Sequence, residues 1–543
     1  MRAAPVAIAL VLAASPSAWA AAAGAGVAPD ADAGLATDAG AGPVTDAGAA
    51  EPVAEIAVDA GAPPAVEAFA PVEAVTAAAP VPQFEPPPSG PEVRLSASLS
   101  ALAALDTRFE SPRGAELSEN VAELSLRARL GADVKVSEHV RAYVEARAWL
   151  RAVTERDFDR TKAFLEPQLG EAYVDFYSPR VDVRVGNQRV VLGASPVASP
   201  VDVFNPRELR ESFLFAEPDV AAVPVPAVKA TGEVGAVSYL AAYAPFFIPS
   251  RYALFGQDEG LLQPALAPAI PFRRIDPTVE DALQPHLSET KRPLPFLGDL
   301  ALSAAYRARV TVRASWAWVN EKLPQVTIDP ELSRLLQSQA QGQMVDPALA
   351  LSVQSRLSAN ETLFTGTYAR QHVLALSATA LLGPGQLDVD LAYSPRQTFF
   401  DVDFSPLNKA SFTAVATYAL AEDSPWLWSV TAMAMVVPDV HARERLALLE
   451  PPTATGVDRT VFFPLLIAQV GRTFLDGRLS ASLRAAFEPF QQSLALSPKV
   501  AWLGVEGLEL FAGAEFYEGP TYSAFGYFGR NDRVVLGATW TPW

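Results

Sequence analysis

From Val93 to the end of the chain, apolar and polar residues alternate with a period of two. In Val140–Arg151 the odd positions read Arg141, Tyr143, Glu145, Arg147, Trp149, Arg151, and the even ones Val140, Ala142, Val144, Ala146, Ala148, Leu150. Glu123, Ser125, Arg127, Arg129 likewise stand against Leu124, Leu126, Ala128, Leu130, and the pattern recurs at Gln386–Leu391 and Arg478–Ala485. Successive side chains of a strand point to opposite faces, so each segment is a strand with one apolar and one polar face. The breaks between segments decide which kind of sheet this is. Long ones fall near 107–119, 154–165, 193–221, 249–298, 322–361, 396–408, 439–459 and 518–531. Short ones fall between them, near 135–138, 178–180, 233–236, 307–309, 383–385, 421–425, 475–477 and 505–506, and one further short break, around Gln491-Gln492, stands where a long one is expected. Tight turns on one side and long loops on the other predict an all-β transmembrane antiparallel barrel, apolar outside and polar within. The count is eighteen strands; Pro224 and Pro226, which weaken the sixth, leave sixteen as the alternative. Trp316, Trp318, Trp426, Trp428, Phe516 and Trp540 lie near strand ends and suit interfacial girdles.

The first twenty residues predict a signal peptide: Arg2, an apolar run over 7–14, and Ala18-Trp19-Ala20 as the cleavage site. Residues 21–91 are Ala/Pro/Gly-rich with a recurring Asp-Ala-Gly, and every ionisable residue there is acidic. Such a stretch cannot bury enough apolar area to offset its ordering entropy, so a disordered linker is expected, with the barrel over 92–543. The formal net charge of −19 argues against nucleic acid, which needs a basic face. The chain has no cysteine, which excludes disulfides, thiolate metal sites and a cysteine nucleophile.

The most specific stretch is Arg184-Val-Gly-Asn-Gln-Arg-Val-Val-Leu-Gly193, followed by Val201-Asp-Val-Phe-Asn-Pro-Arg-Glu-Leu-Arg210. Asp202, Asn205 and Pro206 are turn formers, and the loop is expected either to fold inward as a constriction or to stand as an extracellular turn. Arg207 and Arg210 could pair with Glu171 or Asp175. In Gly186, Gln188, Gly193, Asp202, Asn205, Pro206, Glu208 and Leu209, and in Ala244–Arg251, Ser523–Gly526 and Asn531-Asp532, the chain resembles the proteobacterial outer-membrane barrel family called domain of unknown function 1302. Leu192 stands where that family usually has Trp, and Asn187 where it has a basic residue. The resemblance implies a porin-like barrel in the outer membrane of a Gram-negative bacterium. The ending, with Gly537 and Trp543, resembles the signal read by the barrel-assembly machinery; Thr541 and Pro542 depart from it.

In the break 322–361, Asp329-Pro330 and Asp346-Pro347 are helix-start pairs. Two short helices presenting Leu332, Leu335, Leu336 and Leu349, Val353, Leu357 would plug the barrel or lie on its rim. No catalytic constellation or metal motif emerges: His139, His286, His372 and His441 stand alone, and Ser195 is in no nucleophile elbow. No cofactor and no enzymatic activity are expected. The polar faces place Arg127, Arg129, Arg141, Glu145, Arg147, Arg151, Glu171, Asp175, Arg184, Asp388, Asp390, Arg484, Glu509 and Glu515 in the lumen, as candidates for setting selectivity. The five arginines of 127–151 come from two consecutive strands and predict one basic wall. A pore for small solutes is the first reading and a non-conducting structural or assembly barrel the second. The expected partners are outer-membrane lipid, the assembly machinery, a small solute and a periplasmic partner of the linker.

Overall fold

The computed structural model describes residues 92–542 except 108–119, 156–160, 197–198, 211–221, 252–292, 341–343, 345, 360, 402–405, 421–425, 447–448, 452–455, 521–522 and 530. The signal peptide, the linker, His286 and Trp543 lie outside the described residues. Eighteen strands form one sheet: β1 (Glu92–Asp106), β2 (Asn120–Lys135), β3 (Val140–Glu155), β4 (Thr161–Phe176), β5 (Val181–Gln188), β6 (Val225–Val234), β7 (Val237–Ala244), β8 (Asp299–Arg307) and β9 (Val310–Asn320), then β12 (Arg370–Leu382), β13 (Gly385–Phe400), β14 (Pro406–Leu420), β15 (Trp426–Val440), β16 (Arg459–Phe474), β17 (Leu479–Glu488), β18 (Ser493–Val505), β19 (Leu508–Glu518) and β20 (Arg533–Trp540). Each strand pairs antiparallel with its neighbours in this order, and β20 closes on β1 from Leu99↔Trp540 to Asp106↔Arg533. A closed sheet has no unpaired edge, which is what permits strands in lipid.

Eighteen strands exist because the sixth survives its prolines. Pro226 faces Asn187 of β5, while pairing with β7 starts only at Val228, so the missing N–H falls where the second neighbour has not yet joined. Two connections are shorter than the sequence predicts. β3 runs to Glu155 and β4 begins at Thr161; β13 runs to Phe400, through a bulge between Ser394 and Gln397. Pairing across the hairpin carries the strands beyond the point where alternation fades.

The outward face is apolar: Leu130, Val144, Leu374, Leu466 and Leu536 are all exposed. Phe462 and Phe474 both face outward on β16, twelve residues apart. At ~3.3 Å per residue and a tilt of ~40° they are about 30 Å apart along the barrel axis, the depth of a bilayer's hydrocarbon core. Trp316, Trp318 and Phe516 lie near the rim that carries the long loops, and Trp426, Trp428 and Trp540 near the rim of short turns. His372 is on the outer face as well, its ring stacked against Trp316 and Trp318 with centroids 5.9 and 6.1 Å away.

The long loop after β9 holds a hairpin, β10 (Gln325–Ile328) and β11 (Phe364–Thr367), and helices α1 (Pro330–Ala340) and α2 (Pro347–Ser358). Both Asp-Pro starts are used. Asp329 Oδ1 accepts from the N–H of Glu331 and Asp346 Oδ1 from that of Ala348, each at 2.9 Å. Leu332, Leu335 and Val353 are buried, and Arg356 of α2 donates to both oxygens of Asp329 at 3.0 and 2.9 Å. The loop meets the wall at the rim. Gln325 Nε2 donates to Thr398 Oγ1 at 2.5 Å, and the Thr398 N–H to Glu321 Oε1 at 2.8 Å.

Candidate functional site

β5 is eight residues long beside β4 of sixteen. At Gln188 the chain therefore leaves the wall partway up and turns into the barrel. The described residues of 189–210 run inside the barrel and reach β13 and β14 on the far side. The N–H of Ala194 and that of Ser195 donate to the Asp390 carboxylate of β13 at 3.0 and 2.9 Å, and Ser195 Oγ bonds Thr417 Oγ1 of β14 at 2.8 Å. Arg313 of β9 donates to the Leu192 carbonyl at 3.1 Å. Of the two readings of this loop, the inward one holds.

The motif residues shape this crossing. Asp202 Oδ1 accepts from the N–H of Leu192 at 2.8 Å and of Gly193 at 3.1 Å. The Asn205 amide bonds both the N–H and the carbonyl of Val190, at 3.2 and 2.9 Å. Gln188 Nε2 reaches the Ala227 carbonyl of β6 at 2.8 Å. These bonds satisfy backbone groups that leave the ladder and would otherwise be buried unpaired. Gly193 is required by close approach, since a Cβ there would collide with the Ser199 side chain beside Asp390. Gly186, at φ 139°, has the backbone of Ala172 and Tyr173 where a Cβ would go.

Packing completes the anchor. Val190, Leu192, Val201 and Phe204 are buried against inward-facing Val225, Ala227, Ala242, Ala244, Ala301, Ala317, Val319 and Val373 of β6–β9 and β12. Here the interior is apolar, contrary to the uniform polar-in expectation. Met433, Met435, Phe463, Leu465 and Ile467 are also buried, alternating along β15 and β16 with outward Val430, Phe462 and Leu466. Small or apolar inward residues accept a packed segment.

The polar interior lies elsewhere, and its charges come in local pairs. Arg141 donates to Asp133 Oδ1 at 2.7 Å, and Arg151 to both oxygens of Glu123 at 2.7 and 2.8 Å. Arg147 pairs with Glu145, whose other oxygen lies 3.8 Å from Arg129. Arg184 pairs with Asp175 at 2.6 Å, Arg189 with Glu171 at 3.0 Å, Lys499 with Glu509 at 2.6 Å and Arg533 with Glu515 at 2.7 Å. Asp388 accepts from Thr379 at 2.7 Å and from Gln386 at 2.9 Å; Arg484 is buried, on β17. The expected basic wall is thus a mosaic, because Glu123, Asp133 and Glu145 stand on the same two strands as its arginines. Asp390 is wholly buried beneath the crossing segment. Arg210 pairs with Glu166 and Glu208, not with the expected Glu171 or Asp175; Arg207 reaches the Asp202 carbonyl at 3.5 Å.

Between the crossing segment and the wall of β1–β4 a cleft remains. Ser98, Ser100, Arg127, Arg129, Arg147, Trp149 and Gln168 line it from the wall, and Glu208, Val223, Pro224 and Arg251 from the segment's side. Arg127 and Arg210 lie over the Trp149 ring, 5.1 and 5.0 Å from its centroid, and Trp149 Nε1 donates to Ser125 Oγ at 2.8 Å. The cleft joins Arg127, Arg129 and Arg147 of the predicted lumen set; Asp388, Asp390, Arg484, Glu509 and Glu515 belong to other strands. Ser98, Ser100, Gln168 and Arg251 were not foreseen, although Arg251 closes the motif segment that begins at Ala244.

No known protein family matches the chain, so the resemblance in its motifs is not extended to membership. No curated protein matches it either. Solved outer-membrane barrels do. Pseudomonas aeruginosa OccK5 is 10% identical, over 83% of this chain and 99% of that one, with a TM-score of 0.40. Salmonella typhi OmpF, in complex with daunomycin, is 9% identical over 83% and 98%, at 0.39. A loop-deletion form of OmpT, an outer membrane protein of Vibrio cholerae, is 10% identical over 84% and 100%, at 0.35. At these values the likeness adds nothing to what strand order, register and girdles show: the chain is a closed antiparallel β-barrel of eighteen strands with an apolar outer face.

Proposed function

We propose that the chain is an outer-membrane pore of a Gram-negative bacterium, exported by a signal peptide cleaved near Ala21. It passes small polar solutes by passive diffusion. The observation that carries this reading is the polar cleft between β1–β4 and the crossing segment, lined by hydroxyls, an amide and guanidinium groups. Such a lining keeps water and exchanges hydrogen bonds with a passing solute, while the paired charges beside it hold the field moderate. The crossing segment narrows the path to one side. Lipid on the outer face, the barrel-assembly machinery at the closing strand and a periplasmic partner for residues 21–91 belong to the same proposal. The purified protein in a planar bilayer is expected to give discrete, ohmic channels. Silent bilayers from folded protein would defeat the reading.

One observation favours the second reading, a non-conducting structural barrel. The inward segment is fastened by an apolar cluster on β6–β9 and β12 and by the buried Asp390 carboxylate of β13, as a permanent plug would be. Silent bilayers from folded protein would leave that reading in place.

A further inference from the structure

We infer that the turn 294–297, just before β8 at the rim of long loops, inserts into the lipid leaflet on that side and anchors the barrel there. This rests on the barrel standing in a membrane and not on its conducting solutes.

The backbone supplies the first argument. The Leu297 N–H donates to the Leu294 carbonyl at 3.3 Å, which closes a four-residue turn. Pro295 holds its second position and Phe296 its third, at φ 65°. A turn with Pro second and a positive φ third favours Gly or Asn at the third position, because a Cβ is crowded there. Gly or Asn would make the same turn with less strain, so it is the ring of Phe296 that is kept at that cost. Packing within the chain does not use it. Phe296 is 70% exposed, Leu294 69% and Leu297 53%, against 45% for Leu302, which faces lipid on β8. Its ring neighbour among the described residues, Phe246, with centroids 5.6 Å apart, is exposed as well.

The second argument is where the turn is held. Tyr243 of β7 points outward, since its neighbours Ala242 and Ala244 belong to the interior cluster. Its hydroxyl donates to the Phe296 carbonyl at 2.8 Å, and the Phe296 N–H donates to the Pro245 carbonyl at 2.8 Å. The Arg370 guanidinium of β12 lies over the ring of outward-facing Trp318, 3.5 Å from its centroid. It donates to the carbonyls of Leu297 at 2.8 Å and Gly298 at 2.5 Å. Gly298 brings the chain against β7, because a Cβ there would collide with the Ala244 carbonyl. Two outward side chains from different strands thus fix the turn on the outer side of the wall and satisfy its carbonyls. A segment needs satisfied carbonyls to enter an apolar medium.

The third is the chemistry of the surface. Residues 293–298 contain no ionisable side chain, and Arg370 is turned into the turn's carbonyls. The turn therefore offers a partner apolar area and a ring, and a contiguous exposed apolar patch marks a partner or a membrane. Continuity decides between them. The turn extends the outward belt of Tyr243, Trp316 and Trp318, where aromatic side chains meet the boundary of hydrocarbon and headgroups. Lipid already lies against that belt, and burying Leu294, Phe296 and Leu297 in it is favourable in proportion to their apolar area.

The test is the collision of a nitroxide with oxygen, which enters lipid, and with a neutral nickel chelate, which stays in water. The chain has no cysteine, so Leu294→Cys and Phe296→Cys each carry a single label in protein folded into phosphatidylcholine vesicles. Leu302→Cys on β8 marks lipid, and Leu351→Cys, exposed on α2, marks water. At 294 and 296, oxygen collision should match the Leu302 label. Nickel collision should be roughly tenfold or more below the Leu351 label, because a polar complex is costly to place in hydrocarbon. Should Phe296→Cys fail to fold, Leu294→Cys carries the test. Nickel collision equal to that at Leu351 puts the turn in water and overturns the anchor. Low collision with both reagents means a protein cover, such as a second copy of the chain, and overturns it too. A Leu302 label in water removes the membrane placement of the wall, and the anchor with it; a lipid-exposed Leu302 beside a water-exposed turn removes the anchor alone. Arg370→Gln should free the turn, raising nickel collision at 294 to that at Leu351 and leaving Leu302 unchanged. Parent-like values in that variant would overturn the pinning that places the turn.

Discussion

Asp390→Asn tests what holds the crossing segment in place. The Asp390 carboxylate is wholly buried and accepts the N–H of Ala194 at 3.0 Å and of Ser195 at 2.9 Å. Asparagine offers one acceptor and presents an NH2 group where the other stood. One N–H keeps a neutral hydrogen bond and the other faces a donor in a buried setting. Losing charge assistance on one bond and stranding the second donor costs about 2–4 kcal/mol. The apolar cluster around Phe204 and Leu192 is untouched, so the loss falls on the 193–195 tip and shifts its docking equilibrium by roughly 30- to 1,000-fold. The barrel should keep its heat-modifiable mobility on a gel. Single-channel conductance should rise or become flickering, and protease added from the long-loop side should cut within 193–201 where the parent resists. Parent-like conductance together with parent-like proteolysis would refute the reasoning, because it would mean that the tip is held without Asp390.

Further outcomes follow from the same structure. Phe204→Ala removes a fully buried ring from the interior cluster and should cost about 3–5 kcal/mol, read as a lower urea midpoint for loss of segment protection. Leu466→Arg, outward on β16 between Phe462 and Phe474, should cost about 2–4 kcal/mol in a bilayer refolding assay. Thr417→Ala, facing inward, should cost less in the same assay, and equal costs would reverse the face assignment. At the base of the helical loop, burial pushes the Glu321 carboxyl up from 4.5 to about 7. The raised value means that the folded loop binds a proton the unfolded loop has released. That stabilisation is complete below pH 4.5, fades as pH rises through 7, and amounts to roughly 3 kcal/mol at most. Glu321→Gln keeps the acceptor for the Thr398 N–H and should abolish this part of the pH dependence, measured as loop proteolysis at pH 5 and pH 8.

The sequence reveals the wall far better than the interior. Strand positions follow from alternation because lipid and water stand on opposite sides of β1–β4, so Arg147 and Ala148 cannot exchange faces without a large cost. Strand ends are less legible: at Glu155 and Phe400, pairing with a neighbour continues after the period is lost. The apolar interior of β6–β9 is hidden for a different reason. Ala242 and Ala301 face inward and Leu302 outward, yet nothing local marks which side of an Ala/Leu alternation meets lipid. Only the segment 190–204, placed there by a non-local crossing, makes those alanines a core. The motif around Asp202 and Asn205 reads as a turn and proves to be a clamp on 190–193, which requires knowing that β5 stops at Gln188. Ion pairing is also non-local in this sense. The arginines of β2 and β3 look like a wall until register sets Glu123, Asp133 and Glu145 among them.

The absence of cysteine makes the proposed pore path directly testable, because a single introduced thiol is the only one in the protein. Ser98→Cys lies in the cleft beside β2, and Ala242→Cys lies under the crossing segment in the apolar cluster. Channels of Ser98→Cys in a planar bilayer should close or narrow when a charged methanethiosulfonate reagent is added, and recover on reduction. Channels of Ala242→Cys should not respond. A response at Ala242 with none at Ser98 would put the path on the wrong side of the segment, and no channels from either folded variant or the parent would contradict a pore altogether.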